Sequence, residues 1–284
     1  MERVPEGGPA PQVDGAGGAD GRSEAGVSEI RSLDRAVAVL DAFTGRRSAL
    51  TLSDVAERVK LGTSTTHRLL RSLVAHGLLK RDEVGKTYSL GPTVLRLARA
   101  AAGAMDVREL ARPVMVRLRD AAGETVGLHL LRDARHRVVV DQVESHQALR
   151  RTYTELGEPI PLHQGAPGKV LLAYRPRADQ EALLAAPLEA ANAQTIVDAE
   201  ALRAELREIQ QRGYGFSHGE RVSGIHTVAV PVFDHTGAAV ASLSVTGPAL
   251  RMPVERLAAL APVAVAAGVE LSALLGHRPL LEVR

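Results

Sequence analysis

The sequence predicts an α+β protein that has a small helical unit near the N-terminus and a larger mixed domain after it. Residues 32–76 contain three short amphipathic helical patterns, and two short strand patterns around a turn follow them. Residues 93–122 are helical in pattern almost throughout, whereas residues 124–276 alternate between strand and helix patterns. A chain of 284 residues is long enough to bury a separate core in each of two domains.

The composition excludes several classes of protein. Hydrophobic residues make up 45% of the chain and charged residues 24%, which is ordinary for a globular protein. Aromatic residues make up only 2%, which argues against binding single-stranded nucleic acid through stacked bases. The absence of cysteine excludes disulfides, thiolate zinc sites and cysteine nucleophiles.

The N-terminal residues 1–28 are rich in Gly, Pro, Ala and acidic residues, so we expect a disordered tail. This segment has no apolar core of the kind found in a secretory signal. No apolar run in the chain is expected to reach the roughly 18 to 20 residues of a membrane-spanning helix. We therefore expect a cytoplasmic protein without a membrane partner.

The first predicted helix spans 32–43, where apolar residues recur at helical spacing, and a brief strand over 49–52 follows it. The second helix is predicted to begin at an N-cap Ser53 and to end at Gly62. Glycine at that position would supply the positive φ that a helix end commonly needs.

The third helix is predicted to be capped by Thr63 or Ser64 and to run to His76. Two strands then flank a turn over 82–85, and another helix begins just after them. The predicted strands cover 78–81 and 86–90. A helix pair followed by such a hairpin is typical of a winged helix-turn-helix, a module that binds duplex DNA.

In a winged helix the second helix of the pair enters the major groove, where its N-terminal residues meet base edges and phosphates. Residues 31–90 carry eleven Lys/Arg against six Asp/Glu, a local excess of +5, which favours a polyanionic partner. The side chains predicted to contact DNA are Thr63, Ser64, Thr65, Thr66, His67, Arg68 and Arg71 on the helix, and Lys80, Arg81 and Lys86 on the wing. The alternative is a solvated three-helix bundle whose charges are ordinary surface.

The second domain is predicted to contain a single antiparallel-rich sheet with helices packed against it. The predicted strands cover 124–131, 137–143, 150–153, 227–233 and 239–245. The predicted helices cover 167–174, 178–186, 199–212 and 253–276.

Two stretches of this domain are candidates for a ligand site. The Gly-rich segment 156–172 opens a helix, where free backbone N–H groups would favour an anion, although a purely structural turn explains the glycines nearly as well. Ser242, Ser244 and Thr246 alternate along one predicted strand and share a face. An inward face would indicate a small polar ligand, and an outward face would be ordinary solvent-exposed surface.

The chain resembles the IclR family of transcriptional regulators over nearly its whole length beyond the tail. The matching segments, in order, are SLDRAVAVLDAF, LTLSDVAERVKLGTSTTHRLLRSLVAHGLL, YSLGPTVLRLA, PLHQGAPGKVLLA, LREIQQRGYGFSHGERVSGIHTVAVPVFD and ASLSVTGP. The resemblance implies a winged helix-turn-helix over 29–91, a linker helix over 92–105 and a GAF-like effector-binding domain over 106–278. It also implies a homodimer or a dimer of dimers on a pseudo-palindromic operator in double-stranded DNA, with a small organic acid or an aromatic metabolite as effector.

The resemblance further implies the residues that contact the effector: Gly165, Ala166, Pro167, Ser217, Thr227, Ser244 and Thr246. In family members of the glyoxylate pathway, an acid matches Ser217, a cysteine matches Thr227, and the residue that matches Pro167 donates its backbone N–H. Proline has no N–H, and the three differences argue against that subgroup's ligand. Four residues close to these in the pattern could add polar contacts: His163, His218, Glu220 and His226.

Catalysis is not expected, because the chain lacks the G-x-S-x-G and His-Glu-x-x-His patterns and has no cysteine for a deaminase zinc site. No cofactor is expected. Two alternatives to an effector-responsive regulator stay open. One is zinc bound by His163, His218 and His226. The other is a DNA-binding dimer whose second domain binds no ligand, with an apolar linker-helix surface formed by Val94, Leu97 and Ala98.

Overall fold

The computed structural model describes residues 31–44, 47–104 and 106–278, with their side chains except those of 99 and 101–104. The predicted tail, residues 1–28, lies outside the described residues. The chain divides into two compact units, Met1–Ala98 (the N-terminal unit) and Arg99–Arg284 (the C-terminal unit). Each unit has a hydrophobic core of its own.

The N-terminal unit combines three helices with a small antiparallel sheet. Helices α1, α2 and α3 span Arg31–Asp41, Leu52–Val59 and Thr63–Ala75, and strands β1, β2 and β3 span Leu50–Thr51, Leu79–Asp82 and Thr87–Leu90. The strand order is β1-β3-β2, so a short strand just before α2 extends the hairpin of β2 and β3. The core consists of Val39, Phe43, Leu50, Val55, Leu70, Leu73, Leu79 and Tyr88. The predicted winged helix-turn-helix is confirmed.

The start of α2 differs from the prediction, because its N-cap is Thr51 rather than Ser53. The Thr51 hydroxyl accepts a hydrogen bond from the Asp54 N–H at 3.2 Å, and the Asp54 carboxylate accepts one from the Thr51 N–H at 2.8 Å. This reciprocal pair satisfies two backbone donors at once. These bonds to the backbone and hydroxyl of Thr51 lower the pKa of Asp54.

Gly62 also differs from the prediction. Its φ is −61°, and the residue in the left-handed conformation at the end of α2 is Lys60, with φ of 51°. Gly62 is the N-cap of α3, and no side chain caps that helix, so neither Thr63 nor Ser64 has the predicted capping role. The first N–H groups of a helix that lacks such a cap are available to an external acceptor.

Two helices follow the wing. Helix α4 spans Pro92–Ala104 and begins at the proline, as predicted, because a residue in the first turn needs no backbone N–H. Helix α5 spans Val107–Ala122 and begins after Asp106, whose carboxylate accepts from the Arg108 N–H at 2.9 Å.

The C-terminal unit is built on one antiparallel sheet, as predicted. Strands β4 to β9 span Thr125–Leu131, His136–Val143, Ile160–Pro161, Gly215–His218, Ile225–Phe233 and Ala239–Pro248. Helices α6 to α9 span Ala166–Ala173, Arg177–Leu184, Ala199–Arg212 and Val254–Leu274. The six strands lie in the order β6-β5-β4-β9-β8-β7, which places the two long strands β8 and β9 side by side beside β4.

The two faces of this sheet have different neighbours. On one face, α5 and α9 pack against apolar side chains of the central strands, including Val230, Leu243 and Val245. On the other face, α6 and α8 pack around Ala229. Because side chains alternate along a strand, Ser244 points to the face opposite that of Leu243 and Val245, away from α5 and α9.

Three local elements of the C-terminal unit were predicted wrongly. Residues 150–153 form no strand, because the side-chain amide of Gln142 bonds both backbone groups of Tyr153, at 3.1 Å to its carbonyl and 2.8 Å from its N–H. A side chain therefore takes the place of a neighbouring strand. The edge strands β6 and β7 were missed, since two and four residues are too few to show an alternating pattern.

Helix α9 corrects a further expectation. It has 21 residues, and its most apolar window has a mean hydropathy of 1.9, so by length and composition it could span a membrane. Eight of its residues are nevertheless buried in the protein, where they pack against the sheet and α5. Its apolar character is therefore that of a core helix.

We expect Thr51→Ala to destabilise α2 by about 1 kcal/mol, because the substitution removes the N-cap. The matched control is Ser53→Ala, which removes an exposed hydroxyl and should cost less than about 0.5 kcal/mol. Amide hydrogen exchange over residues 52–60 of the intact protein measures both. Equal loss of protection in the two variants would contradict the assignment of the cap.

Candidate functional site

The N-terminal part of α3 presents most of the side chains predicted to contact DNA. Five of them are exposed: Thr63, Ser64, His67, Arg68 and Arg71. Thr65 is half-buried. Thr66 is fully buried, and its hydroxyl donates to the Gly62 carbonyl at 3.2 Å. The prediction for Thr66 was wrong, because this residue lies one turn before Leu70 and shares its core-facing side of the helix.

The wing presents the other predicted cations. Lys80, Arg81 and Lys86 are exposed. Arg81 lies 3.5 Å from the Glu83 carboxylate, a contact that surface solvation makes weak and that a phosphate could replace. The surface formed by the exposed side chains of α3 and the wing is called the basic face below.

A cavity opens on the sheet face away from α5 and α9 in the C-terminal unit, and it encloses about 360 Å³, part of it open to solvent. Its wall contains six of the seven predicted effector contacts: Gly165, Ala166, Pro167, Ser217, Thr227 and Thr246. It also contains six residues that the sequence did not indicate: Arg137, Arg151, Tyr153, Arg221, Val222 and Ile225.

The start of α6 forms one side of the cavity. Gly165, its N-cap, has φ of 78° and ψ of 162°, a conformation that side chains strongly disfavour. A helix N-terminus carries a partial positive charge, which favours an anion beside Ala166. Pro167 follows and contributes no N–H, so the anion would have fewer backbone donors here than at an ordinary helix start.

The hydroxyl-bearing face of β9 is inward, and its side chains form a chain of hydrogen bonds. Thr227 and Thr246 are joined at 3.1 Å, Thr246 and the Tyr153 hydroxyl at 3.0 Å, and Tyr153 and Ser244 at 3.2 Å. Ser244 is fully buried and does not line the cavity, so only other side chains, Tyr153 among them, connect it to the cavity wall. The hydroxyl of Ser242 is also buried but has no hydrogen-bond partner among the described residues.

The chain of hydrogen bonds continues from Ser244 to two buried side chains, His129 and Arg137. The Arg137 Nη1 lies 2.8 Å from His129 Nδ1, and His129 Nε2 lies 2.8 Å from Ser244 Oγ. A guanidinium only donates, so Nδ1 must accept, and Nε2 therefore carries the proton and donates to Ser244. Burial, and then the neighbouring Arg137 charge, lower the pKa of His129 well below 6.5, which keeps the ring neutral.

A glycine leaves room for this network. A Cβ on Gly127 would lie 2.9 Å from the Tyr153 ring, 3.0 Å from His129 Nε2 and 3.1 Å from Ser244 Oγ. A side chain at position 127 would therefore require the three groups that the network joins to shift.

Three arginines give the cavity a positive charge. Arg137 is almost fully buried, and burial lowers its pKa to about 10, so it remains charged at neutral pH. Arg151 and Arg221 both donate to Oε1 of the same carboxylate, Glu155. Burial alone would raise the pKa of Glu155, but the hydrogen bond from Arg221 and the charge of Arg151 outweigh it and lower the pKa. One carboxylate thus pairs with two of the three cations.

Sequence reasoning missed these arginines for two reasons. Arg137 is two residues before the buried Val139 on a predicted strand, so the two side chains share a face of the sheet. A cation on a buried face indicates a functional role, and the sequence pattern could have shown this. Arg151 and Arg221 lie in irregular segments far apart in the chain, and only the folded sheet brings them to the same wall.

The other predicted polar residues do not line the cavity. His163 bonds the Glu189 carbonyl at 2.8 Å, and His226 bonds the Met252 carbonyl at 2.8 Å and packs edge-on against His218. Glu220 accepts from the buried Lys169 Nζ at 2.6 Å. Across the described ranges, no group of three or more His, Asp or Glu side chains is placed to hold a metal ion.

Two protein-family models match the chain. The model described as the IclR helix-turn-helix domain matches residues 32–83, and the model described as the bacterial transcriptional regulator IclR C-terminal domain matches residues 99–273. The second match alone covers more than half of the chain.

Individual relatives agree with these matches. The chain is 37% identical over 245 residues to the HTH-type transcriptional regulator BhcR of Paracoccus denitrificans, which is 86% of each protein. The crystal structure of a putative IclR transcriptional regulator from Silicibacter sp. TM1040 superposes with a TM-score of 0.81 at 30% identity, over 87% of this chain and 96% of that one. An IclR homologue from Microbacterium hydrocarbonoxydans in complex with 4-hydroxybenzoate has a TM-score of 0.53 at 29% identity, over 85% and 99%.

The neutral state of His129 leads to a pH prediction. Its pKa is lower in the folded protein than in the unfolded chain, so its contribution to stability is present above about pH 6.5 and is lost as the pH falls below that value. His129→Gln retains an acceptor for Arg137 and a donor for Ser244 but does not titrate. We expect the free energy of unfolding to fall less steeply below pH 6.5 in this variant.

Urea unfolding of both proteins between about pH 5 and pH 7 provides the comparison. The free energy of unfolding of the variant will still depend on pH in this range, because burial also lowers the pKa values of His163 and His218. Superimposable pH profiles would contradict a buried neutral His129.

Proposed function

Because this chain belongs to the IclR family of bacterial transcriptional regulators, we propose that its N-terminal unit binds operator DNA and that a small organic acid in the C-terminal cavity modulates this binding. Membership of this family supports a role as a transcriptional regulator. The residues and the effector chemistry proposed here are supported by the geometry of the basic face and of the cavity.

The basic face is proposed to bind the operator. Arg68 and Arg71 lie three residues apart on the exposed side of α3, and either guanidinium could pair with a guanine edge in the major groove. The hydroxyls of Thr63 and Ser64, freed from capping, and the backbone N–H groups beside them suit a phosphate. The flanking phosphates are proposed to contact Lys80, Arg81 and Lys86. Thr66 is buried and is not part of the proposed DNA-binding surface.

One observation carries the proposal of an acidic effector. Arg137 is a buried cation on the cavity wall that forms no ion pair with a carboxylate among the described residues, and its Nε has no hydrogen-bond partner there. A buried charge without a partner of opposite sign is unfavourable. A carboxylate in the cavity would compensate that charge.

The same observation favours a ligand-binding domain over a purely structural one. A domain that served only for dimerisation would gain nothing from an unpaired cation inside it. The relative that was solved with 4-hydroxybenzoate holds an aromatic carboxylate. We therefore propose that the acidic group is what the cavity recognises, on an aliphatic or an aromatic body.

We also propose a homodimer, or a dimer of dimers, on a pseudo-palindromic operator. Two large apolar side chains of α4, Leu95 and Leu97, are 67% and 52% exposed, which is unfavourable unless another surface covers them. Two copies of α3 would then read two half-sites. The effector can change DNA binding only if it binds the bound and free arrangements of the dimer unequally.

The basic face yields the first test of this proposal. Arg68→Ala should weaken operator binding by about 1–3 kcal/mol and relax base preference, because it removes a base contact. Lys86→Gln should weaken binding to all duplexes alike and reduce the salt slope by about one, because it removes a phosphate contact.

Fluorescence anisotropy with a selected operator and a scrambled duplex, over a range of salt concentrations, separates the two effects. Arg177→Gln is the control, since Arg177 is an exposed cation of the C-terminal unit. Arg68→Ala protein that binds both duplexes with wild-type affinity would refute the groove assignment.

The cavity yields the second test. Ser217 lines the cavity, and Ser242 is buried on the same sheet face without lining it. For a carboxylate found by thermal-shift screening, Ser217→Ala should weaken binding by about 0.5–1.5 kcal/mol through loss of one hydrogen bond, whereas Ser242→Ala should leave the affinity unchanged. Calorimetric titration of the intact protein measures both, and the reverse order of effects would contradict the proposed site.

A further inference from the structure

We infer that the effector carries two acidic groups, one held by Arg137 and the other by the pair of Arg151 and Arg221. This inference rests on the proposed function, because it concerns the ligand of the same cavity. It goes further in giving the number and the position of the charges that the ligand must bring.

The first pole is Arg137. Its Nη1 donates to His129 Nδ1 at 2.8 Å and its Nη2 reaches the Gln164 carbonyl at 3.4 Å. Both partners are neutral, so neither compensates the charge. The guanidinium lines the cavity without an ion-pair partner among the described residues, and a carboxylate is the group that would balance its charge.

The second pole is the cluster of Arg151, Arg221 and Glu155. Both guanidinium groups donate to the same oxygen, Oε1 of Glu155, so one negative charge is shared between two positive ones. The cluster therefore keeps a net charge of about +1 beside the cavity. The side chains of Arg151 and Arg221 are 15% and 26% exposed, so solvent screens this excess only in part.

Both poles line the same cavity, and Gly165 lies between Arg137 and the side-chain stem of Arg221. A point one Cβ bond from the Gly165 backbone lies 4.0 Å from Arg137 Nη2, 3.9 Å from Arg221 Cβ and 3.8 Å from Ser217 Oγ. The glycine therefore leaves space beside the Arg137 guanidinium, on the side of the cavity where Arg221 begins.

Charge balance then selects the dianion. The three arginines of the wall, together with the glutamate that two of them bind, carry an excess of two positive charges. A monocarboxylate would leave one of these uncompensated in a partly desolvated site, whereas a dianion would compensate both. A neutral ligand of the same shape would compensate neither and would also leave donors unpaired.

The test compares dicarboxylates with their half-amides, which have nearly the same shape and one negative charge fewer. Malonate, succinate, glutarate and phthalate, each beside its monoamide, are titrated calorimetrically into the intact protein. We expect the dicarboxylate of best-fitting length to bind at least about tenfold more tightly than its monoamide, since one charge-assisted contact differs.

Variants assign the two charges to the two poles. Arg221→Met should reduce the affinity for the dicarboxylate to nearly that for the monoamide, while the affinity for the monoamide stays within about twofold of wild type. Arg203→Met is the matched control, because Arg203 is ion-paired on α8 and does not line the cavity. It should leave the tenfold preference intact.

The outcomes separate this inference from the proposed function. Equal affinity for a dicarboxylate and its monoamide, with both binding measurably, would overturn the two-pole inference and leave the acidic effector standing. Binding by none of the eight compounds would overturn both the two-pole inference and the proposal of an acidic effector. A dicarboxylate preference that survives Arg221→Met unchanged would also overturn the inference, because the second charge would then be recognised elsewhere.

Discussion

The C-terminal unit depends on the contact between two buried side chains, the guanidinium of Arg137 and the imidazole of His129, whose nitrogens lie 2.8 Å apart. The guanidinium can only donate, which fixes the imidazole as neutral and fixes the nitrogen that carries its proton. From there the hydrogen bonds run through Ser244 and Tyr153 toward the cavity. The same contact leaves a positive charge in a buried place, and that charge is the basis for the class of ligand proposed for the cavity.

The sheet makes this arrangement possible. Because side chains alternate along β8 and β9, the strands present apolar residues to α5 and α9 and hydroxyls to the opposite face. The apolar face holds the larger core of the unit, so the hydroxyl face need not supply it. Gly127 then gives the network its space, and Gly165 turns the chain into α6 at the rim of the cavity.

Much of this was accessible from the sequence, because periodicity and local turn chemistry set the long helices, the long strands and the exposed face of α3. The failures have physical causes. Thr66 shares the core-facing side of its helix with Leu70, which a list of polar residues does not reveal. Arg151 and Arg221 meet only because the folded chain brings two irregular segments to one carboxylate. No local sequence pattern indicates that these two side chains lie close together.

The protonation state of the His129 ring shows directly whether Arg137 donates to it. ¹⁵N NMR of histidine-labelled intact protein, with the signals assigned by comparison with the His129→Gln variant, reports the proton on each ring nitrogen. At a pH of about 6, below the usual pKa of histidine, we expect a neutral ring with its proton on Nε2. A doubly protonated ring, or a proton on Nδ1, would mean that Arg137 does not donate to it and would rule out this network of hydrogen bonds.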